Sequence, residues 1–210
     1  MTTTMQALQA LLDRSAIIQV VQNWGFWRDD GNWEQLRSAY TPDGLMTTTW
    51  SVGTAVDFVN HCMERAKKAG DRQSMHSIGA SIVDLTGNKA IAETRMVLLV
   101  RGILHGVEVD VTNFGRTYDR FVRRDGQWRI KVRTPIYERD RMDPVDPATT
   151  VKLQATELAR YPYGYRHLAY LQAAGGARIT PDLPTPNSVA LARLYADGRA
   201  WLAAACLSEG

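Results

Sequence analysis

Residues Gln73 to Glu138 contain QSMHSIGASIVDL (73–85), KAIAETRMVLLVRGIL (89–104), VEVDVTNFGRTYDRFVRR (107–124) and QWRIKVRTPIYE (127–138). These four runs are rich in β-branched and aromatic residues. Leu85-Thr86-Gly87-Asn88 and Arg124-Asp125-Gly126 separate them with glycine at the positive-φ positions that tight hairpins require. The spacing predicts an antiparallel meander of three long strands and one shorter one. From His76, alternation runs His76, Ile78, Ala80, Ile82, which puts the histidine on an apolar face near the start of its strand. The second strand is apolar on both faces from Met96 to Val100, so something covers both sides: a partner subunit or the C-terminal tail.

Working outward towards the N-terminus, Ile17, Val20, Val21, Trp24 and Trp27 fall at the spacing of an amphipathic helix, with residues 1–12 as a frayed lead. Gly31 suits a left-handed cap, and Asn32 with Gln35 makes a capping box for a short second helix, Trp33 to Tyr40. Thr41-Pro42-Asp43-Gly44 reads as a turn before a strand from Leu45 to Trp50. A third helix carries Ala55, Phe58, Val59, Cys62, Met63 and Ala66 inward and ends at Lys67-Lys68-Ala69-Gly70. Asp29 and Asp30 close the first helix, where carboxylates oppose the helix dipole at ~0.3–1 kcal/mol each; ordinary turn chemistry and a functional use are both open at that point.

Past Arg139 the composition changes. A linker, Asp143-Pro144-Val145-Asp146-Pro147, precedes helical segments from Thr149 to Ala159, Tyr165 to Ala174 and Asn187 to Ala205. Tyr161, Tyr163, Tyr165 and Tyr170 either close a pocket or pack on the sheet. The division expected is 1–140 for the sheet and its helices and 141–210 for a helical extension packing on the sheet, a pocket or a partner subunit.

With 210 residues, 45% of them hydrophobic, and a net charge of +3, the chain is an ordinary globular protein with no call for a polyanionic partner. Arg116, Arg120, Arg123, Arg124, Arg129, Lys131 and Arg133 lie beside Asp119, Asp125 and Glu138, as on a solvated sheet face, and no nucleic-acid docking motif accompanies them. Cys62 and Cys206 fit neither a disulfide framework nor a zinc spacing, and no secretory leader or membrane-spanning run is present, so a cytoplasmic location is expected. His61, His76 and His105 are too dispersed for a metal site; no metal and no cofactor are expected.

Helix, helix, short strand, helix and long antiparallel meander is the order of the nuclear transport factor 2-like fold. RSAIIQVVQNWGFWRDDGNWEQL (14–36) resembles the first helix of its SnoaL-like group, and Gly115-Arg-Thr-Tyr-Asp-Arg-Phe, Arg124-Asp-Gly-Gln-Trp-Arg-Ile and Arg133 resemble its last two strands. The resemblance covers about residues 10 to 140. It implies an α+β, cone-shaped barrel: a curved antiparallel sheet covered by three N-terminal helices, here with a helical C-terminal extension.

Within that group, scytalone dehydratase and hexachlorocyclohexane dehydrochlorinase pair an aspartate at the end of the first helix with a histidine early in the meander. The matching positions are Asp29 and His76, and the dehydrochlorinase's late arginine matches Arg133. Strict alternation puts Arg133 opposite the face of Trp128, Ile130 and Val132, so it reaches a pocket only if that face lines one or the strand bulges. Trp24 stands where many relatives carry tyrosine, and Ala80 where they often place asparagine.

The resemblance implies a cofactor-independent lyase in which His76, oriented by Asp29, starts an elimination or carbon–carbon cleavage. The leaving group would be water, halide or formaldehyde from a diaryl compound, and the substrate small, hydrophobic, and aromatic or polycyclic. Arg133 or Tyr118 would stabilise developing charge; Trp24, Trp27, Trp50, Met75 and Met96 would wall the pocket, with Asn113 a further substrate contact. A ketosteroid-type isomerase and a non-catalytic binding or oligomerisation domain are the alternatives. The covered second strand implies a homo-oligomer, a dimer or trimer; nucleic acid and membrane are not expected partners.

Overall fold

A computed structural model describes residues 3–68 and 74–204. Gln73 of the meander, Ala69 and Gly70 of the third helix's end, Ala205 of the last helix and Cys206 lie outside the described residues. The elements, in order, are α1 (Thr3–Asp29), α2 (Trp33–Ser38), β1 (Tyr40–Thr47), β2 (Val52–Thr54), α3 (Ala55–Lys68), β3 (Ser74–Thr86), β4 (Lys89–Leu104), β5 (Val107–Arg124), β6 (Gln127–Pro144), α4 (Ala155–Leu158), a single 3-10 turn (Tyr163–Tyr165), α5 (Arg166–Ala174) and α6 (Val189–Ala203). Six strands form one sheet in the order β2-β1-β6-β5-β4-β3. All neighbours are antiparallel except β1 and β6, which run parallel. The fold is the α+β architecture expected.

The predicted hairpins form, with Gly87 at φ +54° and Gly126 at φ +73°. α1 is one continuous helix from Thr3 rather than a helix with a frayed lead. It lays Ile17, Val21 and Trp24 into the core, with Val20 and Trp27 partly buried beside them. Asp13 fastens its outer end to the last hairpin by accepting from Trp128 Nε1 at 2.9 Å and Arg123 Nη1 at 3.0 Å. Gly31 takes φ +73° as expected, but Asn32 makes no side-chain cap; α2 starts on backbone hydrogen bonds alone. Thr41 to Gly44 is not a free turn. It is an irregularity inside β1, where pairing with β6 jumps from Tyr40–Ile130 to Leu45–Val132. Residues 149–154, expected to be helical, are without regular structure, and only Ala155–Leu158 coil into a turn of helix.

Three bulges decide which side chains face inward. On β3 the register shifts between Ile78 and Ser81, on β6 between Ile130 and Val132, and again on β6 between Tyr137 and Arg139. Each inserts one residue, so side chains three apart, rather than two, share the inner face. Strict alternation therefore fails after Ile78: Ile82 is exposed and Val83 packs into the core. The same arithmetic brings Ile130 and Arg133 to one face, and Tyr137 and Asp140 to one face.

The inner face is covered by α1, α2 and α3 at one end and by the C-terminal extension at the other. α5 and the 3-10 turn pack Tyr165, Leu168 and Leu171 against Leu98, Val100, Val111 and Tyr137. Tyr170 joins them, whereas Tyr163 is exposed. Thr49 anchors the extension, its hydroxyl donating to Gln172 Oε1 at 2.6 Å and its carbonyl accepting from Thr180 N–H at 2.8 Å.

α6 takes the outer face and packs Leu191, Leu194, Tyr195 and Trp201 on Ile91, Tyr118 and Ile136. The tail thus covers part of both sides of β4. The solvated-face reading of the basic strand residues holds for Arg124 but not for Arg116 or Arg133. Arg116 lies under α6, bonded to Glu93 and the Tyr195 hydroxyl, with Glu138 beside it.

Gly198 sits where α6 presses on the sheet: a Cβ there would come within 2.0 Å of the Tyr118 hydroxyl oxygen. Gly198→Ala is expected to lower stability by about 1–3 kcal/mol through overpacking, despite the better helix propensity of alanine. Urea denaturation measures the loss; a stabilised variant would mean that α6 does not hold this close contact in solution.

Candidate active site

Asp29 is the last residue of α1, and His76 is the third residue of β3 described. α1 can lie this close to β3 because residue 25, one turn before Asp29, is glycine: a Cβ there would meet Ile78 Cγ1 at 2.9 Å. Asp29 then accepts two hydrogen bonds from one residue, His76 N–H to Oδ2 and His76 Nδ1 to Oδ1, each at 2.6 Å. A carboxylate at a helix C-terminus opposes the macrodipole. Here two short charge-assisted hydrogen bonds offset that cost.

The chelation fixes the ring. With Nδ1–H donated to Asp29, Nε2 carries the lone pair and has no hydrogen-bond partner among the described residues. The side chains are 10% exposed for His76 and 16% for Asp29, so the pair is near-buried without being sealed. Burial lowers the His76 pKa below its ordinary 6.5; the Asp29 hydrogen bond and charge resist that, while Arg28 and Arg133 reinforce it. His76 is therefore neutral at physiological pH.

Trp24 stands edge-on to the imidazole, ring centroids 5.3 Å apart, and presents its face to the Arg133 guanidinium at 4.3 Å. Its indole N–H donates to the Tyr40 hydroxyl at 2.9 Å. Burial raises the Tyr40 pKa, so this hydroxyl stays protonated behind the tryptophan. Arg133 reaches the interior because of the β6 bulge. Its Nε and Nη2 each donate to Asp119 at 2.7 Å, with side chains 1% and 0% exposed. Arg133 Nη1 is buried and lacks a protein partner. The guanidinium thus keeps one donor uncommitted beside Trp24.

The other expected wall residues divide. Met96 faces inward, since it pairs with Ile78 on the His76 side of the sheet. Trp27 is partly buried in the helix-side core, and Trp50 stacks on Phe58 with centroids 5.7 Å apart. Asn113 is buried on the inner face but committed to the extension, its Nδ2 donating to Gly164 O at 3.0 Å. Met75 and Tyr118 are corrections. Met75 points to the outer face, 55% exposed, because it neighbours His76 on a strand whose side chains alternate. Tyr118 also faces outward, T-stacked on Tyr195 of α6 at 5.4 Å, and cannot serve His76.

Residues that sequence reasoning passed over complete the site. Asp119 could have been suspected, as an acidic residue on the parity of buried Thr117 and Phe121. Tyr40 had no distinguishing signal, since it joins the tryptophan only across the fold. Among the described residues no three His, Cys, Asp or Glu side chains converge as a metal site would require, and no helix is long and apolar enough to cross a membrane. Two surface grooves, of about 400 Å³ beside Arg37, Tyr40 and Arg129 and about 740 Å³ between Thr134 and α6, both lie away from the His76 pair.

The model of a SnoaL-like domain matches residues 9–134. Pea pathogenicity protein 2 of the fungus Fusarium vanettenii is 32% identical over 180 residues, covering 82% of this chain and 75% of the relative. A span of that length runs past His167 wherever it begins, so the likeness includes part of the C-terminal extension. Among solved structures, a proposed scytalone dehydratase of Novosphingobium aromaticivorans superposes with a TM-score of 0.53 at 15% identity, covering 68% of this chain and 97% of its own. A hexachlorocyclohexane dehydrochlorinase, LinA type 2, superposes with a TM-score of 0.52 at 13% identity, covering 70% and 97%. At those identities the two structures speak for the fold alone.

Removing one member of the Arg133–Asp119 pair leaves an uncompensated buried charge. Asp119→Ala is expected to cost about 3–5 kcal/mol in urea denaturation, while Asp119→Leu combined with Arg133→Met recovers most of it. An Asp119→Ala protein as stable as wild type would mean that the pair is hydrated in solution.

Proposed function

The chain belongs to the SnoaL-like domain family, and within it we propose that this protein is a cofactor-independent lyase whose general base is His76. The observation that carries the reading is the two-point hold of Asp29 on His76, which leaves one imidazole nitrogen neutral and unpartnered. In the reaction, Nε2 takes a proton from carbon, the C–H electron pair forms the new double bond, and the leaving group departs with its own bonding pair. Arg133, through its uncommitted Nη1, steadies charge that develops on the substrate. Trp24, Met96 and the edges of Trp27 and Trp50 suit a small aromatic or polycyclic compound.

Elimination of water or halide begins with this proton transfer, as does isomerisation. In formaldehyde-releasing cleavage the same base would take the proton of a hydroxyl instead, whose electron pair forms the carbonyl of formaldehyde while the C–C bonding pair stays with the remaining framework. A non-catalytic binding role draws support from the two grooves that lie away from the pair. Partly buried Val97 and Leu99, beside exposed Met75 on the outer face, offer an apolar surface to a second copy.

The test is turnover of a panel of aryl β-hydroxy ketones, chlorinated cyclohexanes and diaryl propane diols, scoring released water, chloride or formaldehyde and double-bond migration. His76→Ala should lower kcat by about 10²–10⁴-fold on whichever substrate is turned over. Equal turnover by the variant removes His76 as the base.

A second expectation is the pH profile. A base must be unprotonated to act, and the His76 pKa lies below 6.5, so kcat/KM should fall on the acid side with a midpoint below that value. An acid limb centred above pH 6.5 contradicts the assignment.

A further inference from the structure

The extension carries a second histidine–aspartate pair built like the first. Asp140 of β6 lies beside His167 Nδ1 at 2.8 Å through Oδ1 and accepts from the Leu168 backbone N–H at 2.8 Å through Oδ2. As at Asp29, one carboxylate holds both an imidazole Nδ1 and a backbone N–H. The Asp140 side chain is 0% exposed and His167 13% exposed, and His167 Nε2 has no hydrogen-bond partner among the described residues.

The register places the two pairs on one face. His76 pairs with Leu98, Leu98 with Asn113, and Asn113 with Asp140, a single row across β3, β4, β5 and β6. Residues directly opposite across antiparallel strands share a face. Asp140 is therefore on the His76 side of the sheet, and α5 brings His167 over that same side. Three strand spacings put the two ends of the row ~14 Å apart at the backbone. A separation of that order matches about a two-ring compound with a hydrogen bond at each end. Between them the row holds Leu98, partly buried where the extension packs on it, and Asn113, already committed to Gly164.

Resting on the reading of His76 as base, we propose that His167, held by Asp140, is the proton donor to the substrate oxygen on which charge develops when His76 removes a carbon-bound proton. The geometry suits donation: with Nδ1 held against the buried Asp140 carboxylate, Nε2 is the ring nitrogen left free to carry the proton that is given up. The step balances: the carbon-bound proton passes to His76 Nε2, the C–H electron pair forms the new C=C bond, and the C=O π pair, or the C–O bonding pair of a leaving hydroxyl, goes to oxygen. That oxygen, an enol oxygen or a departing hydroxyl, then takes the proton from His167 Nε2. Exchange with solvent removes the proton from His76 Nε2 and restores one to His167 Nε2. The substrate class is accordingly an aromatic carbon acid whose activating or leaving oxygen lies on the far side of the molecule from the acidic hydrogen.

Two carbon acids separate this from a structural role. β-Tetralone forms an enolate that profits from a proton donor, whereas phenylnitromethane forms a nitronate that holds its own charge. Hydrogen exchange at the acidic carbon is followed by proton NMR in deuterium oxide, with wild type, His76→Ala, His167→Gln and Asp140→Asn, each first checked by thermal melting. The expected result is that His76→Ala abolishes enzyme-catalysed exchange of both compounds. His167→Gln and Asp140→Asn lower exchange of β-tetralone by about 10²-fold but that of phenylnitromethane by less than about twofold. Equal loss on both compounds, or no loss on either, overturns the donor role while leaving His76 as base. No exchange by wild type, or exchange indifferent to His76→Ala, overturns the base reading and with it the role for His167.

Discussion

A guanidinium and a carboxylate buried together between α1 and the sheet set the terms for everything around them. Arg133 and Asp119 are almost wholly removed from water, and the desolvation of two such ions costs several kcal/mol each before anything is recovered. Recovery comes from the two parallel N–H···O bonds and from the Trp24 face laid over the cation. Trp24 is held in turn by the Tyr40 hydroxyl, so the position of α1 on the sheet and the orientation of the cation are settled by the same contacts. That α1 position places Asp29 at His76.

The same cation shapes the electrostatics of the pair it supports. Burial and two nearby positive charges, Arg28 and Arg133, act against protonation of His76, and Asp29 acts for it. Burial prevails, which leaves the imidazole as a neutral base rather than half of a fixed ion pair. Had Arg133 pointed outward, as simple alternation requires, the interior would hold an Asp119 carboxylate with the Thr117 hydroxyl but no cation beside it, and His76 would gain proton affinity. Structure and base strength are linked through one inserted residue in β6.

The C-terminal extension is more than a cover. α5 closes the inner face at the end that α1 to α3 leave open, and α6 shields part of the outer face through close contact of Gly198 with Tyr118. Because Asp140 receives the first turn of α5, the extension is seated by a charged hydrogen bond as well as by apolar packing, which fixes His167 over the sheet. A histidine delivered this way has no counterpart in the stretch on which the SnoaL-like resemblance rests.

By itself the sequence determined the three N-terminal helices, the meander, its hairpins and the α1 stripe, though not the short strand β2, because helix period, turn glycines and β-branched runs are local properties that a chain expresses before it folds. It also carried Asp29 and His76, since each sits at an element's end where a family pattern can be counted. What it could not decide is which face a strand residue takes once a bulge intervenes. A bulge is a mismatch between two strands, so it belongs to neither sequence alone, and each inserted residue inverts every side chain beyond it. Ser81 and Arg133 owe their inward position to one insertion each, and Asp140 is inward because the second insertion in β6 undoes the inversion made by the first; Met75 and Tyr118 face outward because they alternate with inward His76 and Asp119. Only the tertiary structure joins Arg133 to Asp119, Trp24 to Tyr40 and His167 to Asp140, for these contacts form between elements whose separation along the chain leaves no periodic trace.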